Sequence, residues 1–204
     1  QNTAPTRLPT LSLRAALPIQ IRLNVARHQR GPPLSLPLHV ADAFRAVLLD
    51  GQGDPALMAL ILTLPSENEI AELFEVIDPL AIAAVRAALV RTLANELSDE
   101  FYAVYLANQS SDYKVEHAEI GKRALKNVCL SYLAFADAEQ ASKLVQAQYD
   151  KASNMTDALA ALSAAVAAQL PCRDALLAAY DERWHQDGLV MDKWFMLQAT
   201  SPAA

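Results

Sequence analysis

Apolar residues recur at helical spacing along most of the chain. Val40, Phe44, Val47 and Leu48 fall at i, i+4, i+7 and i+8, one stripe of a helix expected to end near Gly51. Gly51-Gln52-Gly53 is a turn signal, and Asp54-Pro55 then supplies an N-cap with proline at the first helical position. That helix is predicted to reach about Thr63 and to stop before Pro65. Ser66-Glu67-Asn68-Glu69 is a capping box, with Ile70, Leu73, Phe74 and Ile77 as the stripe behind it. Asp78-Pro79 repeats the cap-plus-proline device. It opens a long run in which Ile82, Val85, Leu89, Leu93, Leu97, Phe101 and Tyr105 keep a three-or-four spacing. One bent helix and two stacked helices breaking near Asn95 both satisfy that run.

After a polar break at Ser110-Ser111-Asp112, Ile120, Ala124, Val128 and Tyr132 lie beside Leu125, Cys129 and Leu133. So wide a stripe can be covered from two sides. Further helices are expected from Ala138 to about Tyr149, and behind a cap at Asn154 or Thr156 with the stripe Met155, Leu159, Leu162, Val166, Leu170. Pro171 restarts the chain as Leu177, Tyr180 and Trp184, ending at Gly188. A last helix holds Met191, Trp194, Phe195 and Leu197. Pro32, Pro33 and Pro37 keep residues 31–37 out of a helix. Residues 1–20, with Leu8-Pro9 and Leu17-Pro18, read as an irregular arm.

No segment alternates with a period of two, so essentially no sheet is expected. Short loops between amphipathic helices make neighbours antiparallel, and such pairs stacked in order give an all-α, irregular HEAT-like solenoid. No sequence repeat is visible.

Composition agrees with this and narrows the function. Hydrophobic residues make up 53% of the 204, charged residues 20%, and only five are glycine. That is a globular, helix-leaning balance long enough for one large domain or two small ones. The net charge of -6 argues against nucleic acid as a partner. The nearest basic cluster, Lys122, Arg123 and Lys126, sits beside Glu116 and Glu119 and reads as a solvated face. Ala158 to Leu170, the most apolar stretch, is shorter than the ~20 residues a bilayer requires. There is no clean signal peptide. Cys129 and Cys172 lie among apolar residues and read as buried, reduced thiols, which fits a cytoplasmic setting.

Candidate chemistry is sparse. None of His28, His39, His117 and His185 has another histidine three to five residues away, so no zinc-binding pair is present. Glu116-His117 reads as a surface pair, and His185 beside Trp184 and Asp187 as a helix-terminal residue favoured by the dipole. There is no nucleophile elbow, and Gly121-Lys122 lacks the upstream glycine of a phosphate loop. The carboxylates Glu72, Glu75, Asp99 and Glu100 read as solvated, and Tyr180, Trp184, Trp194 and Phe195 as packing. Read from its residues, the chain is a helical domain with no active site of its own.

Three strings go further. They are Leu62-Thr63-Leu64-Pro65-Ser66-Glu67-Asn68-Glu69-Ile70-Ala71-Glu72-Leu73-Phe74, Asn154-Met155-Thr156-Asp157-Ala158-Leu159-Ala160-Ala161-Leu162, and Val190-Met191-Asp192-Lys193-Trp194-Phe195 followed by Gln198-Ala199-Thr200-Ser201-Pro202. In this order they resemble the C-terminal helical domain of bacterial zinc aminopeptidases of the aminopeptidase N type, which are gluzincins. The resemblance covers 21–204. It implies a parent enzyme that releases N-terminal amino acids from peptides. Its one zinc is held by an H-E-x-x-H motif and a distant Glu, and a Gly-x-Met-Glu-Asn motif binds the free amine. Neither motif occurs in this sequence, so no catalytic or metal residue carries over. The resemblance implies that this domain packs on the catalytic domain and encloses the cavity above the zinc, limiting entry to peptides. The family domain continues past Thr200-Ser201-Pro202, and residues 1–20 do not resemble it. Two helix starts are the candidate interface loops, Pro65, Ser66, Glu67, Asn68, Glu69 and Asn154, Met155, Thr156, Asp157; both read more simply as plain N-caps. The alternative from a different class is a free-standing helical-repeat module that binds peptides or proteins on its concave face.

Overall fold

The computed structural model describes residues 8–29, 38–110 and 112–201. Among them the chain forms eleven helices and no strand. They are α1 (Leu8–His28), α2 (Leu38–Leu48), α3 (Pro55–Leu62), α4 (Glu67–Ala71), α5 (Pro79–Glu96), α6 (Ser98–Ala107), α7 (His117–Leu133), α8 (Ala138–Lys151), α9 (Met155–Ala168), α10 (Arg173–Trp184) and α11 (Gly188–Ala199). The caps read from sequence set the starts. The Asp54 carboxylate accepts from the Ala56 and Leu57 amides and Asp78 from Ala81, each with proline at the first helical position. Ser66 and Glu69 close both halves of the capping box. Asn154, not Thr156, caps α9.

Stacking follows chain order only in part, since α1 also meets α5, α2 meets α6 and α3 meets α7. α1 packs on α2 to α5, α8 on α9, α9 on α10 and α11, and α10 on α11. The hub is α7, which touches α3, α5, α6 and α9. Its Tyr132 ring stacks on Phe101 of α6 at 4.5 Å, with Phe44 of α2 edge-on at 6.1 Å. The Tyr132 hydroxyl donates 2.7 Å to the Leu62 carbonyl, a group the end of α3 would otherwise leave unpaired. One side chain thus ties four helices. Burial pushes its hydroxyl far above the ordinary tyrosine range, so it stays a neutral donor.

The long run after Asp78 is two helices: Leu97 breaks the turn at φ -124°, ψ 22° while staying fully buried. Three expectations are corrected. Residues 8–20 are not an irregular arm but the first part of α1, which runs through Pro18; residues 1–7 and 31–37 lie outside the described residues. Pro18 removes one helical hydrogen bond, a loss of about 3 kcal/mol. Leu13, Leu17, Ile21 and Val25 recur every four residues and are all buried. At about 1.5–3 kcal/mol each, the four together outweigh the break. Next, α4 has only five residues, so of its expected stripe Ile70 is buried while Leu73 and Phe74 are half-buried and Ile77 is exposed. Finally, Gly188 starts α11 behind an Asp187 cap instead of ending α10. Where α1 meets α5, the Asp78 carboxylate accepts from the Ala81 amide and from the Gln29 side chain, and both hold it below its ordinary range.

Gly121 in α7 is fully packed, and a Cβ there would sit 3.0 Å from the backbone nitrogen of Ala56 in α3. Its role is close helix approach rather than turn formation. In an open helix Gly→Ala gains about 1 kcal/mol of propensity. Here overpacking against backbone outweighs that gain. Gly121→Ala is expected to lower unfolding free energy by about 1 kcal/mol in urea titration, and Gly121→Leu by more.

Candidate functional site

Polar chemistry concentrates where α7, α8 and α9 meet. Lys126 and Asp157 are both buried, and the lysine Nζ donates to Asp157 Oδ2 at 2.8 Å. Asn127 Nδ2 donates to the other carboxylate oxygen at 3.0 Å, and the cap residue Asn154 donates to Oδ2 at 3.1 Å. Gln148 of α8 completes the group, giving its Nε2 protons to Asn127 Oδ1 at 2.9 Å and the Asp157 carbonyl at 3.1 Å. Two acceptors facing Nε2 fix the orientation of that amide. The Gln148 Oε1 is left buried with no hydrogen-bond partner among the described residues.

This corrects the reading of Lys122, Arg123 and Lys126 as a solvated face. Lys122 is partly exposed and pairs with Glu119 at 2.8 Å, but Arg123 and Lys126 are only 7% and 6% exposed. The signal was in the spacing: Arg123, Lys126, Leu130 and Leu133 share one face of α7, and the last two are core. The Asn154–Asp157 start is a cap, as its plain reading has it, with the addition that Asp157 is turned inward. Met155 is half-buried near the Tyr180 hydroxyl and Thr156 is exposed.

Pro65 to Glu69 lies elsewhere. The Pro65 carbonyl accepts from Arg86 Nε at 3.0 Å, and Ser66 to Glu69 are exposed. Glu67 borders a cleft of about 790 Å³ whose walls are α5, α7 and α9, with Val90, Val128, Phe135 and Ala164 among its apolar lining. Asn154 and Asp157 border a different cleft of about 440 Å³. The structure does not bring the two candidate loops into one site.

Other expected positions fall as follows. His28, His39, His117 and His185 are all exposed, and His185 Nδ1 lies 3.1 and 3.2 Å from the Glu182 and Asp181 carbonyls at the end of α10. Glu100 is not free in solvent but meets Arg45 at 3.0 Å. Among the described residues no group of three or more His, Cys, Asp or Glu side chains is placed to hold a metal ion. No described helix is long and apolar enough to cross a membrane. Cys129 is fully buried, and burial pushes its thiol up to about 12; Cys172 is half-buried.

With this architecture in view, residues 12–204 match a family described as a domain of unknown function (DUF3458_C) built of ARM repeats. The chain belongs to that family. It is 70% identical over 184 residues to the protein named Aminopeptidase N of Escherichia coli strain K12, covering 90% of this chain and 21% of that protein. With Aminopeptidase N of Haemophilus influenzae it shares 46% identity over 183 residues, 90% of this chain and 21% of the relative. Among solved structures, the Legionella pneumophila aminopeptidase A in complex with aspartic acid superposes with a TM-score of 0.77 at 27% identity, over 93% of this chain and 23% of that one. The chain therefore spans about a fifth of the length of the relatives it matches. The family match begins at residue 12, inside the segment that the sequence reading set apart.

The buried pair gives a signed expectation. Burial alone would raise the Asp157 pKa, but the hydrogen bonds from Lys126, Asn127 and Asn154 and the lysine charge outweigh it, and the carboxyl titrates below its ordinary 3.8. A depressed folded-state pKa gives stability that is present above 3.8 and is lost as pH falls through the lower folded value. Urea unfolding from pH 6 to pH 3 should therefore show a shallower acid limb for Asp157→Asn than for the parent sequence. Lys126→Met, which strands the carboxylate, should destabilise by about 3–5 kcal/mol at pH 7.

The thiols give another expectation. At pH 8 a disulfide reagent should modify one thiol of the native chain, Cys172, and reach Cys129 only with denaturant. Two fast thiols in the native state would contradict the burial of Cys129.

Proposed function

We propose that this chain is the C-terminal helical domain of a zinc aminopeptidase that releases N-terminal amino acids from peptides. It packs against the catalytic domain and encloses the cavity above the metal. The observation that carries this reading is the 70% identity over 184 residues with the Escherichia coli Aminopeptidase N. Zinc would be held by residues in the remainder of the parent, since neither zinc-binding motif of the resembled family occurs in this sequence. The parent's partners are then peptides and its own catalytic domain, and its setting is the reducing cytoplasm, where an unpaired Cys129 and Cys172 are stable.

The surface supports a domain built to be covered. Val76 and Ile77 just before α5 and Leu80 in its first turn are exposed, and so are Leu189, Phe195 and Met196 on α11. A free-standing repeat array ends in helices with polar outer faces. Exposed apolar side chains on α11 instead fit a surface covered by further protein.

The deciding assay gives the purified chain a chromogenic alanine anilide and zinc. We expect no chelator-sensitive release of the chromophore and no stoichiometric zinc retained after gel filtration. Turnover that survives repurification and disappears with chelator would overturn the assignment of catalysis to the remainder of the parent.

A further inference from the structure

Two cations on α7 are buried, and among the described residues only Lys126 has a counter-charge within ion-pair distance. Lys126 is neutralised by Asp157. Arg123, 7% exposed, forms no ion pair among the described residues. Its Nη1 donates to the Lys114 carbonyl at 2.9 Å, and its guanidinium carbon stands 4.8 Å from the centre of the Tyr113 ring. Those contacts pin the turn before α7, but both are made with uncharged groups. The Nε and Nη2 of Arg123 hydrogen-bond to no described residue, and neither is among the fully buried atoms left without a partner, so this edge of the guanidinium opens to solvent in the cleft. Two parallel N–H groups on a planar guanidinium form the fork that receives a carboxylate.

Arg123 lines the 440 Å³ cleft between α6, α7, α8 and the start of α9, within the range of small-molecule sites (~300–1,000 Å³). The charged side chains lining that cleft are Arg123, Lys126, Lys151, Asp112 and Asp157. Three cations against two carboxylates leave one positive charge uncompensated. A monoanion balances it, and a phosphate dianion overshoots beside two carboxylates. Lys151, exposed at the end of α8, has no ion-pair partner among the described residues and adds a second positive group at the rim.

We infer that this cleft binds a small monocarboxylate, of the kind presented by the C-terminal end of a short peptide, on the free edge of the Arg123 guanidinium with Lys151 at the rim. The inference rests on this chain's residues and not on the proposed parentage.

Calorimetric titration of the 204-residue chain at constant ionic strength tests it, with acetate, N-acetyl-L-alanine, its neutral amide and inorganic phosphate as probes. Circular dichroism and thermal melting run alongside to show that each variant is folded. N-acetyl-L-alanine should bind saturably and at least tenfold more tightly than the amide. Arg123→Met, which keeps the aliphatic bulk, should weaken it at least tenfold. Arg123→Lys, which keeps the charge without the fork, should also weaken it. Lys151→Ala lies on the exposed rim, leaves the melting temperature unchanged, and should weaken binding several-fold. Equal affinity for the amide, tighter binding of phosphate than of carboxylate, or undiminished binding by folded Lys151→Ala and Arg123→Lys would each overturn the proposal. An acidic side chain from the rest of a longer parent is the other source of a carboxylate. Binding that persists in the parent protein supports the small-molecule site, and binding confined to the isolated chain overturns it.

Discussion

Neither Lys126 nor Asp157 can leave water alone, because a single buried charge is penalised by several kcal/mol after relaxation. They can be buried only together, and only if α7 and the first turn of α9 meet at one relative height. Asn127 and Asn154 fill the remaining lone pairs of the carboxylate, and Gln148 extends the same constraint to α8. Apolar packing alone would let these helices slide by a turn with little loss. A carboxylate receiving three donors 2.8–3.1 Å away does not permit that. The polar group therefore acts as the register pin of the central stack, while the Tyr132–Phe101–Phe44 cluster sets the spacing of the helices that precede it.

Much of this was legible in the sequence because it is local. Asp54-Pro55, Ser66 with Glu69 and Asp78-Pro79 set helix starts through side chains two or three residues from the amides they serve and act as read, and of the two caps left open for α9 it is Asn154 that acts. The all-α solenoid followed from the length of the loops. What was not legible depends on partners remote in sequence. Pro18 argues against a helix until Leu13, Leu17, Ile21 and Val25 are known to share one covered face. Lys126 looks like one charge among several on α7 until a carboxylate 31 residues away is found against it. Only the position of Lys126 four residues before the core residue Leu130 hinted at burial.

The candidate loops show the same division. Pro65–Glu69 and Asn154–Asp157 attracted notice because both combine a cap with unusual polar detail. The structure explains most of that detail internally: Pro65 receives Arg86, and Asp157 receives Lys126. Glu67 and Asn68 of the first loop stay exposed. Apolar side chains are left exposed as well, just before and at the start of α5 and along α11.

The contrast between the two buried cations carries the site argument furthest. Arg123 and Lys126 are three residues apart on one helix and equally hidden from solvent. An apolar replacement at Arg123 would forgo the bond to the Lys114 carbonyl and the contact with the Tyr113 ring, and those two contacts are its structural share. The fold supplies the carboxylate to one and leaves the other facing a cleft with uncharged partners. Stability accounts for Lys126. Arg123 meets no anion among the described residues, and the proposed carboxylate would supply one on the open edge of its guanidinium.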